Sequence, residues 1–580
     1  MLDKKKKSSL LLTLGTAGAL VAGGGAAWFL TQRGVGPGDL PVGAEAIPQD
    51  ALMTLSVTTA PDQWQKLREF GTPQSQAAFD QNLADLRDRL LTVNGLDYAR
   101  DIQPWVGKEV SMAILSLQAT TPSPSPSPGT APLTGQETAA IVILPIQDPL
   151  KAKEILEKPR TPTSGKLVDR TYQGFQIKET QGAARNYSVT ALDGKFLVVA
   201  TDARAMNRAI DTYKGQPSLA KTPGFAQALG KVQTGQPLGS FYINFPAAMN
   251  FTSAISGRPI SPQSQTQIQQ SQGVAFTAGL QSDGILFKGV SWLKPDSQRT
   301  HKVSNNAKIM PSLLPSETIM MASDGNLKQL WQDYSQGASA TSLVLPISPD
   351  GLRNGLKSTI GMDLDKDFIS WMEGEFSLAM VAAPQGKAPT IPFSILFMVK
   401  TNDRRAAEQS LKQLDQAVAS KYKFKVEESK VGDQPVTNWA LPIGGPTISH
   451  GWLPGDVAFL MMGAPIANTI LPKPANPLAD NQAFKATIPN QPNPRNGHFF
   501  VNLEAASNAK LPLLQLPPGN QELVAAVKSI GVTAAISDER STRYDILVLL
   551  QKGNKPNPLP SPKQPAGENN SPLPSPTPNP

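Results

Sequence analysis

The most restrictive feature of this sequence is an internal repeat. Residues Gly95–Leu115 (GLDYARDIQPWVGKEVSMAIL) align without a gap to Gly361–Val381 (GMDLDKDFISWMEGEFSLAMV), 266 positions later. The match extends upstream to Trp64 and Trp331, which are 267 positions apart. Because the offset changes so little, the sequence predicts two copies of one domain, with insertions and deletions confined to loops. The identical pairs within the aligned segment are Gly95/Gly361, Asp97/Asp363, Asp101/Asp367, Trp105/Trp371, Glu109/Glu375, Ser111/Ser377 and Ala113/Ala379.

Turn residues between short apolar segments indicate antiparallel hairpins. Asp193-Gly194, Asp283-Gly284 and Pro454-Gly455 each separate two strand-like segments, and Asp-Gly is among the strongest short hairpin patterns. Helical periodicity lies between these strands, as in residues 79–91. We therefore expect an α+β fold made of two tandem copies of one mainly antiparallel-sheet domain with interspersed helices, after a single N-terminal transmembrane helix.

Length and composition set the expected domain boundaries. The 580 residues suffice for two domains of about 240 residues, each large enough to bury its own core. Proline and glycine concentrate in loops and outside the repeats, which indicates linkers there. The expected segments are a cytoplasmic basic tip at 1–7, a transmembrane anchor at 8–30, a linker at 31–46, repeat domain 1 at 47–294, a linker at 295–311, repeat domain 2 at 312–552 and a disordered Pro-rich tail at 553–580.

The amino terminus has the composition of a membrane anchor. Lys4–Lys7 precede the uncharged residues 8–30, a run that is long enough to span a bilayer as a helix. Because basic residues stay on the cytoplasmic side, we expect a single-pass membrane protein with its body in the periplasm or the thylakoid lumen. A cleaved signal peptide is the alternative, since Gly25, Ala26 and Ala27 supply small residues near the end of the apolar run.

Charge and cysteine content exclude several classes of function. The formal net charge is +8, and about half of it lies in the two terminal segments, so no basic stripe is left on the predicted domains. A nucleic-acid partner is therefore not expected. The chain contains no cysteine, which excludes disulfides, thiol nucleophiles and thiolate metal sites.

The repeated acidic residues allow two interpretations. Asp97 and Asp101, repeated as Asp363 and Asp367, would share one helical face, and together with Glu109 and its counterpart they could hold a hard cation such as calcium. The first aspartate of each pair also stands where a helix N-cap belongs. No Asp-x-Asp-x-Asp-Gly loop supports a calcium site. We favour the capping role and predict neither a metal nor a cofactor.

The other candidate side chains favour structural roles. Trp105 and Trp371 are expected to be buried at a helix-to-strand junction rather than to stack on a ligand. The histidines His301, His450 and His498 have no metal-ligand spacing and do not recur in the other copy. We therefore assign no catalytic residue.

The pattern G-x-D-x-x-x-D-Φ-x-x-W-Φ-x-x-E-Φ-x-Φ-A, present at 95–113 and 361–379, resembles the cyanobacterial "domain of unknown function 3352" family. The resemblance covers most of residues 47–552, and an anchor followed by a duplicated domain is similar to the layout of that family. It implies uncharacterised membrane-anchored proteins of the periplasm or thylakoid lumen, and it contributes no catalytic residues.

Two functions of different classes remain. The first is a non-enzymatic binding or scaffold protein of the cell envelope or thylakoid lumen, which presents a groove or sheet face to a lipid, an envelope polymer or a membrane protein. The second is an envelope hydrolase or transferase with an Asp/Glu site. We favour the first, because no carboxylate is accompanied by a recognisable nucleophile, base or metal constellation. Acidic residues that converge on a pocket would favour the second.

Overall fold

A computed structural model describes the chain from Leu40 onward with several gaps. The described residues are 40–91, 96–118, 136–157, 166–182, 186–235, 237–256, 262–335, 348–384, 391–440, 447–509, 511 and 521–562. The strands are β1 Met53–Thr58, β2 Glu109–Gln118, β3 Gln136–Pro145, β4 Lys166–Tyr172, β5 Phe175–Gln181, β6 Ser188–Leu192, β7 Phe196–Ala200, β8 Pro237–Ile243, β9 Ser271–Gln281, β10 Gly284–Leu293, β11 Thr318–Asp324, β12 Phe376–Ala382, β13 Phe393–Lys400, β14 Lys425–Val431, β15 Gln434–Ala440, β16 Thr447–Leu453, β17 Val457–Gly463, β18 Gly497–Asn502, β19 Val527–Asp538 and β20 Ser541–Leu550. The α-helices are α1 Pro61–Arg68, α2 Pro73–Leu90, α3 Pro149–Glu157, α4 Ala203–Tyr213, α5 Phe225–Lys231, α6 Phe245–Ser256, α7 Pro262–Gln270, α8 Met310–Leu313, α9 Leu327–Ser335, α10 Pro349–Ile360, α11 Arg404–Tyr422, α12 Ala467–Ile470, α13 Gln482–Thr487, α14 Leu503–Asn508 and α15 Gln521–Val524.

Local sequence explains where many elements begin and end. Helix α2 begins after Thr72, whose hydroxyl accepts the N–H of Ser75 at 3.1 Å, and proline at its first position has no N–H to satisfy. Between β6 and β7, Asp193 and Gly194 have φ values of 45° and 66°, the left-handed conformation that a tight hairpin turn requires. The predicted Asp-Gly hairpin is therefore confirmed at this position.

The described strands follow one order in each part of the chain. In the first half, which ends with β10, hydrogen-bonded neighbours run β4-β5-β6-β7-β3-β2-β1-β8-β9-β10. In the second half the order is β14-β15-β16-β17-β13-β12-β11-β18-β19-β20. Every pair is antiparallel.

The two halves share one sheet, and this corrects the expected fold class. Strand β10 pairs with β20 from Gly284 opposite Leu549 to Trp292 opposite Ser541, so the twenty strands of the described residues form one continuous sheet. The expected α+β arrangement, with two tandem domains after a transmembrane helix, is wrong in that form. The physical reason is that β10 and β20 would otherwise be unpaired sheet edges, and their pairing satisfies the backbone N–H and C=O groups of both.

The expectation of a single-pass anchor is also corrected. Among the residues that the structure describes, no helix is long and apolar enough to cross a membrane. The predicted tip and anchor, residues 1–30, lie outside the described residues. Placement of the body in the periplasm or thylakoid lumen depended on that anchor and is likewise not supported.

Among the described residues, four hydrophobic clusters pack on the two faces of the sheet. Ala113 of β2 belongs to one cluster of the first half and Val110 to another, and residues three apart on a strand point to opposite faces. In the second half, Ala379 and Phe376 of β12 divide between two clusters in the same way. Each half therefore has one core on each face of the shared sheet.

A row of polar side chains crosses the sheet on the face of the Ala113 and Ala379 cores. Directly paired residues of antiparallel strands share a face, and the register aligns ten polar residues, most of them buried. From β2 to β12 they are Ser111, Ser56, Ser240, Thr277, Lys288, Asp545, Thr533, His498, Ser323 and Ser377. Lys288 and Asp545 face each other at the junction of the halves.

Candidate binding face and carboxylate cluster

The opposite face of the sheet carries an apolar row across the junction. Register pairs place six residues of β10, β20, β19, β18, β11 and β12 side by side on this face. They are Phe287, Ile546, Val532, Phe499, Ala322 and Leu378. We call this first row, together with the neighbouring row on the same face, the junction face. The next row contains Ile285, Val548, Ile530, Val501, Met320 and Met380.

The first row of the junction face lies outside the cores, whereas Ile285 of the next row packs against the cluster that contains Trp64. None of the four clusters of described residues includes Phe287, Ile546, Val532, Phe499 or Leu378. Leu378 is 46% exposed, and the other four are half-buried. A contiguous, partly exposed apolar surface of this kind is typical of a ligand or partner site, whereas single exposed apolar residues are not.

A polar row borders the junction face. Asp324 of β11, Gly497, Ala534 and Tyr544 of β20 are register neighbours on the same face. The two outer residues are three strand spacings apart, about 14 Å. Gly497 and Ala534 lie between them, so no large side chain of this row separates the carboxylate from the phenol.

The pKa of Asp324 lies well above the ordinary value of an aspartate. Its carboxylate accepts the Nδ2 of Asn496 at 2.6 Å and the backbone N–H of Asn326 at 3.0 Å. Burial nevertheless raises the pKa of Asp324 to about 6, and the nearby charge of Asp333 acts in the same direction. Desolvation disfavours the charged carboxylate, so Asp324 exchanges a proton close to neutral pH.

A second carboxylate and an arginine complete this cluster. Asp333 of α9 accepts the Nε2 of Gln329 at 3.1 Å. Burial raises the pKa of Asp333, and this hydrogen bond and the charge of Arg299 oppose the shift. Arg299 comes from the linker after β10, where its backbone N–H donates to Oε1 of Gln270 at 2.9 Å. The linker of the first half thus brings a cation to a helix of the second half.

The three histidines are in three different environments. His498 lies in the row of polar residues from Ser111 to Ser377, on the face opposite the junction face. Its Nδ1 is 3.2 Å from the hydroxyl of Ser323, and burial lowers the pKa of His498 to about 4. Burial also lowers the pKa of His301 to about 4. Nε2 of His450 lies 2.8 Å from Asp415. The described part of the chain contains no group of three His, Cys, Asp or Glu residues that could hold a metal ion.

The repeated aspartates cap short π-helical turns, at Tyr98–Ile102 and Leu364–Phe368. Oδ1 of Asp97 accepts the N–H of Arg100 at 2.9 Å, and Oδ1 of Asp363 accepts two backbone N–H groups at 3.1 Å. The capping prediction is confirmed for both. The second aspartate of each pair accepts a hydrogen bond from the first. Oδ2 of Asp101 accepts the backbone N–H of Asp97 at 2.8 Å, and Oδ2 of Asp367 accepts that of Asp363 at 2.7 Å.

The repeated tryptophans are fixed by the same turns. Nε1 of Trp105 donates to the carbonyl oxygen of Asp101 at 2.7 Å, and Nε1 of Trp371 donates to that of Asp367 at 2.8 Å. Trp105 is 1% and Trp371 is 2% exposed, so their predicted burial is confirmed. The aspartate–tryptophan motif positions the chain where it enters β2 and β12.

Glu375 binds backbone rather than a cation. Its carboxylate accepts N–H groups from Lys308, Ile309 and Met310 at 2.9–3.1 Å. It thereby holds the end of the linker against the first turn of α8. Glu109, its counterpart, is 8% exposed at the start of β2. In the second half, Asp363, Asp367 and Glu375 thus each accept hydrogen bonds from backbone N–H groups.

The internal repeat gives no indication of the carboxylate cluster, because only one half contains it. With the offset of 267 fixed by Trp64 and Trp331, Asp324 corresponds to Val57 and Asp333 to Lys66. Neither aspartate is therefore a duplicated residue. The one local indication is an aspartate at the end of the otherwise apolar segment TIMMASD, 318–324.

The chain belongs to the family described as "Protein of unknown function (DUF3352)", which matches residues 13–550. The comparison with curated proteins gave no match. Among solved structures, crystal forms III and I of TP0453 are similar to this chain at 11% and 10% identity, with TM-scores of 0.23 and 0.24. Each match covers 47% of this chain, and 84% and 82% of the respective TP0453 chain.

Proposed function

We propose that this chain is a non-enzymatic binding protein and that its ligand is an amphipathic molecule of the lipid class, bound on the junction face. One observation carries the proposal: five large apolar side chains lie side by side across six strands, outside every described core. Removing apolar surface from water contributes about 25 cal/mol per Å² to binding, before the entropic cost of association is subtracted.

The row that contains Asp324 and Tyr544, beside the junction face, supports an amphipathic rather than a purely apolar ligand. Asp324 and Tyr544 lie one row away from Val532 and Ile546, on the same face. A chain that covers the apolar row would place its polar end beside a carboxyl group and a phenol. Ligand sites combine a mainly apolar lining with a few polar groups that fix orientation.

A hydrolase or transferase with an Asp/Glu site is the second candidate, and one observation favours it. Asp324 has a pKa of about 6 beside a second carboxylate, Asp333, and a carboxyl group tuned toward neutral pH suits general acid catalysis. Hydrolysis of chromogenic ester or glycoside substrates that is lost in Asp324→Asn would support this candidate. The cyanobacterial origin suggested by the motif stays a prediction.

Binding of a dansyl-labelled long-chain alkyl probe tests the first proposal. Leu378→Asp and Val532→Asp place a charge on the apolar row, and we expect at least tenfold weaker probe binding. Leu150→Asp is the matched control, because Leu150 is 81% exposed on α3 and outside the junction face. Equal binding by all variants, or no binding by the unmodified chain, would reject the proposal.

A further inference from the structure

The carboxyl-terminal tail of the second half contacts the first half. The N–H of Gly553 donates to the carbonyl oxygen of Glu69 at 2.8 Å, and the N–H of Gly71 donates to that of Gln551 at 2.7 Å. Further on, Nε2 of Gln76 donates to the carbonyl oxygen of Asn554 at 2.8 Å. Residues 551–554 thus pair with the connection between α1 and α2 and with Gln76 near the start of α2.

The proline-rich residues that follow lie against α1 and α2. Nη2 of Arg68 donates to the carbonyl oxygen of Asn557, and Nη1 of Arg87 donates to that of Pro560 at 2.7 Å. Arg87 is 5% exposed, so a buried guanidinium faces this carbonyl. Leu559 packs against the hydrophobic cluster that contains Trp64. This groove therefore combines an apolar contact for a leucine with donors for backbone carbonyls.

The sequence of the docked segment occurs a second time. Residues 558–562 are Pro-Leu-Pro-Ser-Pro, and residues 572–576 repeat the same five residues 14 positions later. The second copy lies outside the described residues. It supplies the same leucine, Leu573, followed by the same proline, Pro574.

We propose that the groove of α1 and α2 is a recognition site for the Pro-Leu-Pro-Ser-Pro sequence and that residues 572–576 are a second ligand for it in the same chain. The leucine occupies the apolar contact, and the proline after it accepts the hydrogen bond from Arg87. Proline-rich segments suit such a groove because they lose little conformational entropy on docking and keep their carbonyls free to accept hydrogen bonds.

The spacing of the two copies permits an exchange within one chain. Strand β20 ends at Leu550, and docking of the second copy adds 14 residues to the connection. Lengthening a flexible connection costs little, about 0.6 kcal/mol for each doubling. The second copy therefore occupies the groove when a substitution prevents the first copy from binding there.

Hydrogen exchange on the full chain tests this proposal. We expect Leu559→Asp to leave exchange of the α2 amides within about twofold of the unmodified chain, because the second copy replaces the first. The double variant Leu559→Asp/Leu573→Asp should exchange at least tenfold faster. Leu573→Asp alone is the matched control and should change nothing. If Leu559→Asp alone exchanges as fast as the double variant, the second copy is not a ligand and the proposal fails.

Peptide binding supplies an independent measurement. A fluorescein-labelled peptide of residues 570–580 should bind the double variant, whose groove is empty, and should bind the unmodified chain at least tenfold more weakly. The same peptide with Leu573→Asp should not bind. Both substitutions lie beyond β20 and leave every strand and helix of the sheet unchanged in sequence, so failure of the labelled peptide to bind the double variant would also reject the proposal.

Discussion

The backbone N–H of Asp97 donates to the carboxylate of Asp101 at 2.8 Å, while Asp97 itself caps the N–H of Arg100. Each aspartate thus satisfies a backbone group of the same turn. Asp363 and Asp367 repeat the arrangement at 2.7 Å. Carboxylates engaged in this way hold the turn that carries the buried tryptophan, which explains why they occur in both halves.

The caps of Asp97 and Asp363 should contribute measurably to the free energy of unfolding. Asp97→Ala and Asp363→Ala should each lower the free energy of unfolding by about 0.5–2 kcal/mol, because the N–H groups at the start of the turn lose their acceptor. Asn should restore most of the loss in each case, since its amide oxygen accepts the same hydrogen bonds. Urea unfolding with added calcium and with chelator measures the effect. A calcium-induced stabilisation that disappears in the Asn variants would contradict the capping role.

Glu375 should contribute more to stability than an ordinary surface carboxylate. Glu375→Ala removes a charged acceptor from three backbone N–H groups, and hydrogen bonds to charged groups are worth about 1.5–3 kcal/mol. We expect a loss of at least that size in urea unfolding. Glu373→Ala is the control, because Glu373 is exposed and makes two surface contacts, an ion pair with Lys328 at 3.2 Å and a hydrogen bond from Nδ2 of Asn402 at 3.3 Å. Its cost should stay below about 1 kcal/mol. Equal losses would contradict the role of Glu375.

Stability should depend on pH in opposite directions through Asp324 and His498. The folded pKa of Asp324 is about 6 against an ordinary value of 3.8, so the folded state holds an extra proton in this window and its contribution to stability falls as pH rises from about 4 to 6. The folded pKa of His498 is about 4 against 6.5. Between these two values the unfolded state holds the extra proton on His498, so the contribution of His498 to stability rises with pH up to about 6.5.

Variants separate the two contributions. Asp324→Asn should make the increase in unfolding free energy between pH 4 and 6 steeper, and His498→Gln should make it shallower. Thermal or urea unfolding at several pH values measures both slopes. Identical slopes in the two variants and the unmodified chain would show that neither group has the pKa stated above.

Gly284 tests the strand pair that joins the halves. A Cβ at this position would overlap the carbonyl oxygen of Val548 and lie 3.1 Å from the Cα of Leu549. Gly284→Ala should therefore separate β10 from β20 locally and cost about 1–3 kcal/mol. Gly355→Ala is the control, because Gly355 lies in α10 with open space around it and alanine favours a helix by about 1 kcal/mol. A Gly284→Ala chain that melts with the unmodified one would contradict the close approach.

The candidate site was only partly accessible from the sequence. The roles of Asp97 and Trp105 followed from short-range patterns, because a cap and a helix-to-strand junction involve residues within about ten positions. Asp324, Asp333 and Arg299 come together from a strand, a helix and the linker after β10. No local pattern relates these three positions, and only one half has the carboxylates.

The sequence by itself determined the hairpin turns, the caps and the burial of the repeated tryptophans, since each depends on backbone conformations and contacts within one short segment. Only the tertiary structure decided that β10 pairs with β20, that the row from Phe287 to Leu378 stays outside the cores, and that residues 551–560 dock on α1 and α2. An edge strand has the same alternation of apolar and polar residues as an interior strand, so the sequence cannot specify its partner. That choice depends on which surfaces the rest of the chain leaves uncovered.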